Sequence, residues 1–185
     1  IIFNRMERRH FLLSSIFSLG LISQRAYSST TKTSLSFNVI LNEEIVGYSN
    51  LTHRKLKTGL EVAIDVEIVP KFLGLKFMKY TLKNREVWKN KELISIDANS
   101  SWFGKKYFVK GQREGSNFSV EGSAFSGIIK DKFATTSYFT PDFLKRRVWL
   151  STQDGTPLEI KTRKLKNKKM LFNDKNYSVR EWEIT

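Results

Sequence analysis

The sequence has no cysteine and only two histidines, His10 and His53, among its 185 residues. Without a thiol there is no disulfide, no cysteine nucleophile, no iron–sulfur cluster, no thiolate zinc site and no lipid anchor on an N-terminal cysteine. Two histidines so far apart build neither a His-rich metal site nor a His-centred triad, so no metal and no cofactor is expected. No apolar run reaches the roughly 20 residues that a bilayer-spanning helix needs. Internal repeats are missing. Ser119 and Ser123 lack the G-x-S-x-G setting, and Gly111 to Gly127 lacks both G-x-G-x-x-G and the P-loop pattern, so no nucleotide site follows.

What is present is a globular composition, 40% hydrophobic and 13% aromatic, with 32 basic residues against 18 acidic ones and a net charge of +14. That is enough apolar material for one domain with its own core. Met6 reads as a start, with Ile1 to Arg5 upstream of it. Arg8-Arg9 then precedes an apolar stretch from Phe11 to Ile22, and Ala26-Tyr27-Ser28 has the small-x-small form of a cleavage site. This is the pattern of a secretory signal over residues 1–28, with Arg8-Arg9-His10-Phe11-Leu12 resembling a twin-arginine motif. The expected location is therefore the periplasm. Removing this segment takes away four basic residues and one acid, which leaves 28 against 17, a net charge of +11. The positive charge belongs to the domain that follows.

Residues 29–34 read as a polar tether and 35–185 as a single β domain. Leu35, Phe37, Val39 and Leu41 alternate with Ser36, Asn38 and Ile40, Asn42-Glu43-Glu44 makes a turn, and Ile45 to Leu56 returns. Leu60, Val62, Ile64, Val66 and Ile68 alternate with Glu61, Ala63, Asp65 and Glu67, which places the first set on one buried face. An aromatic stretch from Phe72 to Trp88 reads as a further strand, and glycine-punctuated segments continue the meander to Phe133. Thr140-Pro141-Asp142 followed by Phe143-Leu144 predicts a helix of about two turns. Leu158 to Lys164 and Tyr177 to Ile184 read as the last strands. The fold class is all-β, mainly antiparallel, with about eight to eleven strands in a curled sheet or unclosed half-barrel capped by one short helix.

Tyr80, Arg85-Glu86-Val87-Trp88, Leu93 and Asp97-Ala98-Asn99-Ser100 resemble a family of exported bacterial proteins, a domain-of-unknown-function family with a Y…E-x-W…G-x-L pattern. Phe37-Asn38-Val39 with Ile45-Val46-Gly47 resembles its opening hairpin, and Tyr138-Phe139-Thr140-Pro141 with Asp154-Gly155 its helical segment. Lys89-Asn90-Lys91 departs from the acid-glycine turn usual there, and Ser101-Trp102-Phe103-Gly104 replaces a polar loop. The resemblance implies a fold similar to the periplasmic lipoprotein-localisation carriers LolA and LolB, which hold acyl chains on an apolar concave face. It also implies a further hairpin beyond a position like Thr185, so that the chain stops short of its C-terminus. Activity carried over in this way is fold-level analogy.

The candidate site is Tyr80, Glu86, Trp88 and Trp102. Tyr80, Glu86 and Trp88 share strand parity, so their side chains leave one face. Two readings stand for Glu86: a carboxylate raised in pKa within an aromatic cleft, or an exposed glutamate paired with Arg85, Lys83 or a neighbouring lysine. The aromatics either line a lipophilic pocket or fill an ordinary core. His53 reads as a surface strand residue. No residue is singled out as catalytic, and binding is favoured over catalysis: a lipophilic small molecule or an acyl chain is the expected partner. An envelope enzyme using Glu86 and a non-catalytic envelope interaction protein are the alternatives. The basic run Lys161 to Lys169 reads as a solvated hairpin tip or as a contact with an anionic membrane surface. It lacks interleaved aromatics, and nucleic acid is not expected.

Overall fold

The computed structural model describes residues 31–72, 75–76, 78–130, 132–139, 142–172 and 174–185. The export pattern over 1–28, together with Thr140 and Pro141, lies outside the described residues. In chain order come β1 (Lys32–Leu41), β2 (Glu44–Leu56), β3 (Gly59–Ile68), β4 (Lys71–Phe72), β5 (Leu75–Lys76), β6 (Tyr80–Lys89), β7 (Glu92–Trp102), β8 (Lys105–Glu114), β9 (Asn117–Gly122) and β10 (Ser126–Ile129). Eight of these form one sheet in the order β1-β2-β3-β6-β7-β8-β9-β10, each pair antiparallel. The sheet stays open, with β1 and β10 as its two edges. The all-β antiparallel class expected from period-two patterning is what the chain forms, with no closed barrel.

Tight turns make the meander possible. Asn42-Glu43, Asn90-Lys91 and Phe103-Gly104 all take positive φ between paired strand ends, the geometry of two-residue turns that match strand twist. One face of the sheet is apolar. Val62, Leu82, Trp88, Leu93, Ile96, Ala98, Val109, Phe118, Val120 and Ile129 pack on it, and Ile64 and Val66 lie against them. The alternation read in β3 therefore has the right parity. In β7 strict alternation fails, because Trp88 pairs with Leu93 while Val87 pairs with Ser95. The extra residue, Ile94, is a bulge, and it lets both Leu93 and Ile96 face inward three positions apart.

The covering layer follows. β11 (Ala134–Thr135), β12 (Val148–Leu150) and β13 (Pro157–Glu159) make a three-stranded sheet, with β11 parallel to β12. Phe133 and Leu150 join the core of the large sheet, and the Phe133 ring stands 5.1 Å from that of Phe118. The Ser100 hydroxyl donates to the Gln153 carbonyl at 3.0 Å. Complete burial of side chains such as Phe118, Leu93 and Leu150 is worth about 1.5–3 kcal/mol each and holds the layers together.

Several boundaries differ from the sequence reading. The polar stretch read as a tether is already in β1 from Lys32, held by pairing with β2 and a 3.1 Å contact between the Ser34 and Thr52 hydroxyls. The expected two-turn helix is one 3₁₀ turn, Phe143–Lys145, without a side-chain cap at Asp142. Asp142 bonds outward instead, to Lys91 at 3.4 Å. The stretch from Phe72 to Trp88 is three strands rather than one, β4 paired with β5 before β6 begins. Tyr177 to Ile184 is split as well, between β16 (Lys175–Val179), which pairs with β15 (Lys168–Phe172), and β17 (Trp182–Ile184), which pairs with β14 (Thr162–Lys164). The chain changes partner at Arg180-Glu181, which no alternation of side chains could signal. The basic run consequently spans β14 and the start of β15, and the hairpin tip comes after it.

Candidate functional site

Strand β6 carries the centre of the site. Its inward positions, two residues apart, are Tyr80, Leu82, Asn84, Glu86 and Trp88, and its outward ones include Lys83 and Arg85. Glu86 is 0% exposed. Asn84 Nδ2 donates to its Oε1 at 2.9 Å, and Trp88 Nε1 donates to its Oε2 at 2.8 Å. From the covering layer, Ser137 Oγ donates to the same Oε2 at 3.0 Å, and the Thr135 hydroxyl, 2.7 Å from that of Ser137, joins the set. No cation is among these partners. Burial pushes the Glu86 carboxyl above the usual carboxylate range, and the bonds from Asn84, Trp88, Thr135 and Ser137 pull part of the way back.

Glu86 thus lies neither in a solvent-filled cleft nor at the surface beside Lys83 or Arg85. It is a sealed polar hub that ties β6 to the covering layer. A buried acid without a cation needs such donors. Asn84 Oδ1, in the same row, has no hydrogen-bond partner among the described residues.

Trp88 is the outward limit of this hub. It is 5% exposed, yet its ring borders an open groove of about 560 Å³ lined by Lys57, Thr58, Gly59, Leu60, Lys89, Asn90, Lys91 and Phe139 as well. Gly59 lies hard against β6: a side-chain carbon there would stand 2.3 Å from the Trp88 carbonyl oxygen, so only glycine lets the β2–β3 turn reach this place. Leu60, Trp88 and Phe139 form the groove's apolar floor, and Lys57, Lys89 and Lys91 are exposed around it. Lys91 is paired with Asp142 at 3.4 Å. Among the described residues, Lys57 and Lys89 have no carboxylate partner.

Tyr80 and Trp102 sit at the other end of the same strands. They are opposite each other in the ladder, with ring centroids 5.6 Å apart, edge to face. Trp102 is 39% exposed. Eight residues separate Tyr80 from Trp88, roughly 26 Å along a strand. The four residues singled out in the sequence therefore fall into two pairs, Glu86 with Trp88 and Tyr80 with Trp102. On the same face, at the β1 edge three strands from β6, Leu35 and Phe37 remain exposed.

His53 is not a surface residue. It is half-buried in the inward row of β2, opposite Val62, with its ring 4.7 Å from Phe139 and its Nε2 buried without a hydrogen-bond partner among the described residues. Among the described residues no group of three or more His, Asp and Glu side chains could hold a metal ion. Sequence reading missed Leu60, Phe139 and the three lysines, which come from the end of the β2–β3 hairpin, the end of the β6–β7 hairpin and the covering layer. It also missed Ser137, 51 residues from Glu86. Asn84 was within reach, because parity alone puts it beside Glu86.

No curated protein and no solved structure matches the chain. Residues 37–185 match a family described as a domain of unknown function, which covers the large sheet except the first half of β1, the covering layer and the groove. The chain belongs to this family, Domain of unknown function (DUF6134).

Proposed function

We propose that this chain is an exported binding protein that holds a lipophilic ligand with an acidic head group, its apolar part in the groove at Trp88. The observation that carries this reading is the groove itself: an apolar floor of Leu60, Trp88 and Phe139 ringed by Lys57, Lys89 and Lys91. An apolar recess with a few charged groups at its mouth suits an amphiphile, whose chain leaves water while its head stays near it. A fatty acid or another acyl-chain anion has this form. The exposed Leu35 and Phe37 and the Tyr80–Trp102 pair offer more apolar surface on the same face for a longer chain. The carrier-like fold suggested by the sequence, with acyl chains on an apolar face, agrees with this reading by analogy, and the N-terminal pattern supports export to the periplasm.

Catalysis through Glu86 has less support. Its carboxylate has no exposed surface, and its oxygens are taken by Asn84, Trp88 and Ser137. The hub accounts for its burial among the described residues without a reaction.

The test is native mass spectrometry of the purified chain, followed by titration with oleate of a variant in which Trp88 is the only tryptophan. A retained acyl ligand, or a saturable shift in Trp88 emission, is the expected result. A chain that carries no lipid, and whose Trp88 emission ignores oleate, defeats the reading.

A further inference from the structure

We propose that the β15–β16 hairpin is a docking element for an anionic lipid surface. The two strands pair only with each other, from Lys168↔Val179 to Phe172↔Lys175, and belong to neither the large sheet nor the covering layer. Large apolar side chains stand in solvent near the tip: Met170 is 54% exposed, Leu171 66% and Tyr177 48%. Met170 and Tyr177 are cross-strand partners and share one face of the ribbon, and Leu171 leaves the other. Each face of the ribbon thus carries at least one large exposed apolar side chain, next to a polar turn at Asp174-Lys175.

Positive charge surrounds this wedge. Residues 161–185 carry eight basic side chains against three acids. Two of the eight are neutralised, Lys168 by Glu181 and Arg163 by Glu183, each at 2.7 Å. Lys164, Lys166, Lys169 and Lys175 are exposed and, among the described residues, have no carboxylate partner. Exposed apolar residues with lysines on either side of them along the hairpin, Lys169 before and Lys175 at the turn, match the two layers of an anionic bilayer surface, acyl boundary and charged head groups. A second copy docked on one face of the ribbon would leave the other wet. A lipid interface receives both faces at once, and the charge pattern favours it further, because a second copy brings the same lysines against one another.

The experiment is co-sedimentation of the full chain with phosphatidylcholine vesicles, alone or with about 30% phosphatidylglycerol, at about 0.05 and 0.5 M salt. Two variants accompany it, Met170→Asp with Leu171→Asp, and Lys166→Glu with Lys169→Glu. All four positions are exposed, so circular dichroism and the urea midpoint should stay unchanged and confirm folded protein. The expected result is binding to the anionic vesicles that falls at least about tenfold on neutral vesicles, at high salt and in each variant. Equal binding to both vesicle types overturns the proposal, as does a tip variant that binds like the parent. Absence of vesicle binding together with hairpin-dependent dimers in sedimentation velocity overturns it in favour of a second copy.

Discussion

Trp88 donates its indole N–H to the carboxylate of Glu86, two residues earlier on the same strand, at 2.8 Å. One indole therefore has two roles. Its nitrogen satisfies the buried acid of β6, and its ring forms part of the groove floor. A ligand of the proposed kind in the groove would press on a residue bonded to the hub, which would couple its binding to fold stability through this contact.

The first prediction concerns pH. The Glu86 carboxyl is raised by burial, so between its unfolded value of about 4.3 and its higher folded value the native state binds more proton than the unfolded state. The contribution of Glu86 to stability is greatest below that window and declines as pH rises through it. Glu86→Gln keeps an acceptor and loses the titration. The stability of the parent minus that of Glu86→Gln should fall from pH 4 towards pH 8, on the order of 1 kcal/mol for each unit the folded pKa is raised. Urea unfolding of both proteins across this range measures it, and a flat difference would refute the assigned shift.

A harsher change at the same place separates the hub from its charge. Glu86→Ala removes the acceptor for Asn84 Nδ2, Trp88 Nε1 and the Ser137 hydroxyl at once. Each buried donor left unpaired costs about 1–3 kcal/mol. The loss should exceed that of Ser137→Ala by at least about 2 kcal/mol, since the serine variant removes one donor and keeps the acceptor. Urea midpoints with matched slopes decide between the two.

Gly111 tests the packing of the opposite half of the sheet. A side-chain carbon at this position would stand 2.5 Å from the Phe118 ring, which is completely buried beside Phe133. The ring occupies the space that glycine leaves in the inward row. Gly111→Ala should therefore destabilise by about 1–3 kcal/mol, the scale of overpacking a filled core. A neutral result would mean that Phe118 has room to move.

How much of this was legible in advance depends on which force set each feature. The inward faces of β3 and β6 followed from parity, because a sheet with one covered face imposes period two. Ile94 broke the rule, since a bulge adds a residue without changing composition. The 3₁₀ turn at Phe143 shows local capping signals overruled by packing: the Phe143 ring lies 5.6 Å from Trp149, and Trp149 Nε1 donates to the Phe143 carbonyl at 3.1 Å. Glu86 and Trp88 were found as a pair because they are neighbours on one strand. Tyr80 and Trp102 were separated from them by strand length, which parity ignores. The lysine rim was hidden, because Lys57 lies in the β2–β3 turn and Lys89 at the end of β6, which only sheet order brings together.

Export is open to a direct test. If residues 1–28 are a twin-arginine signal, replacing Arg8 and Arg9 by lysine should trap precursor in the cytoplasm. Fractionation and immunoblotting read the result. Unchanged secretion would leave a general signal, and cytoplasmic parent protein would remove export from the proposal.

The last prediction asks whether the lysine rim recognises charge. Lys57 and Lys89 stand at the mouth of the groove without carboxylate partners among the described residues, whereas Lys91 is engaged by Asp142. An acyl carboxylate whose chain lies over Leu60, Trp88 and Phe139 would meet the two free ammonium groups. An exposed pair of this kind is worth up to about 1 kcal/mol, and reversing the charge changes attraction into repulsion. Lys57→Glu with Lys89→Glu should weaken oleate binding about tenfold or more while leaving oleyl alcohol, which has the same chain and no charge, within about twofold. Both ligands are followed by Trp88 emission in the single-tryptophan background, at low and high salt. The parent's preference for oleate should shrink as salt rises, because the rim is exposed and screened. Equal loss for acid and alcohol would show that the substitutions damaged the groove rather than its recognition of charge. Equal affinity of the parent for both ligands would confine the groove to apolar contacts and remove the acidic head group from the proposed ligand.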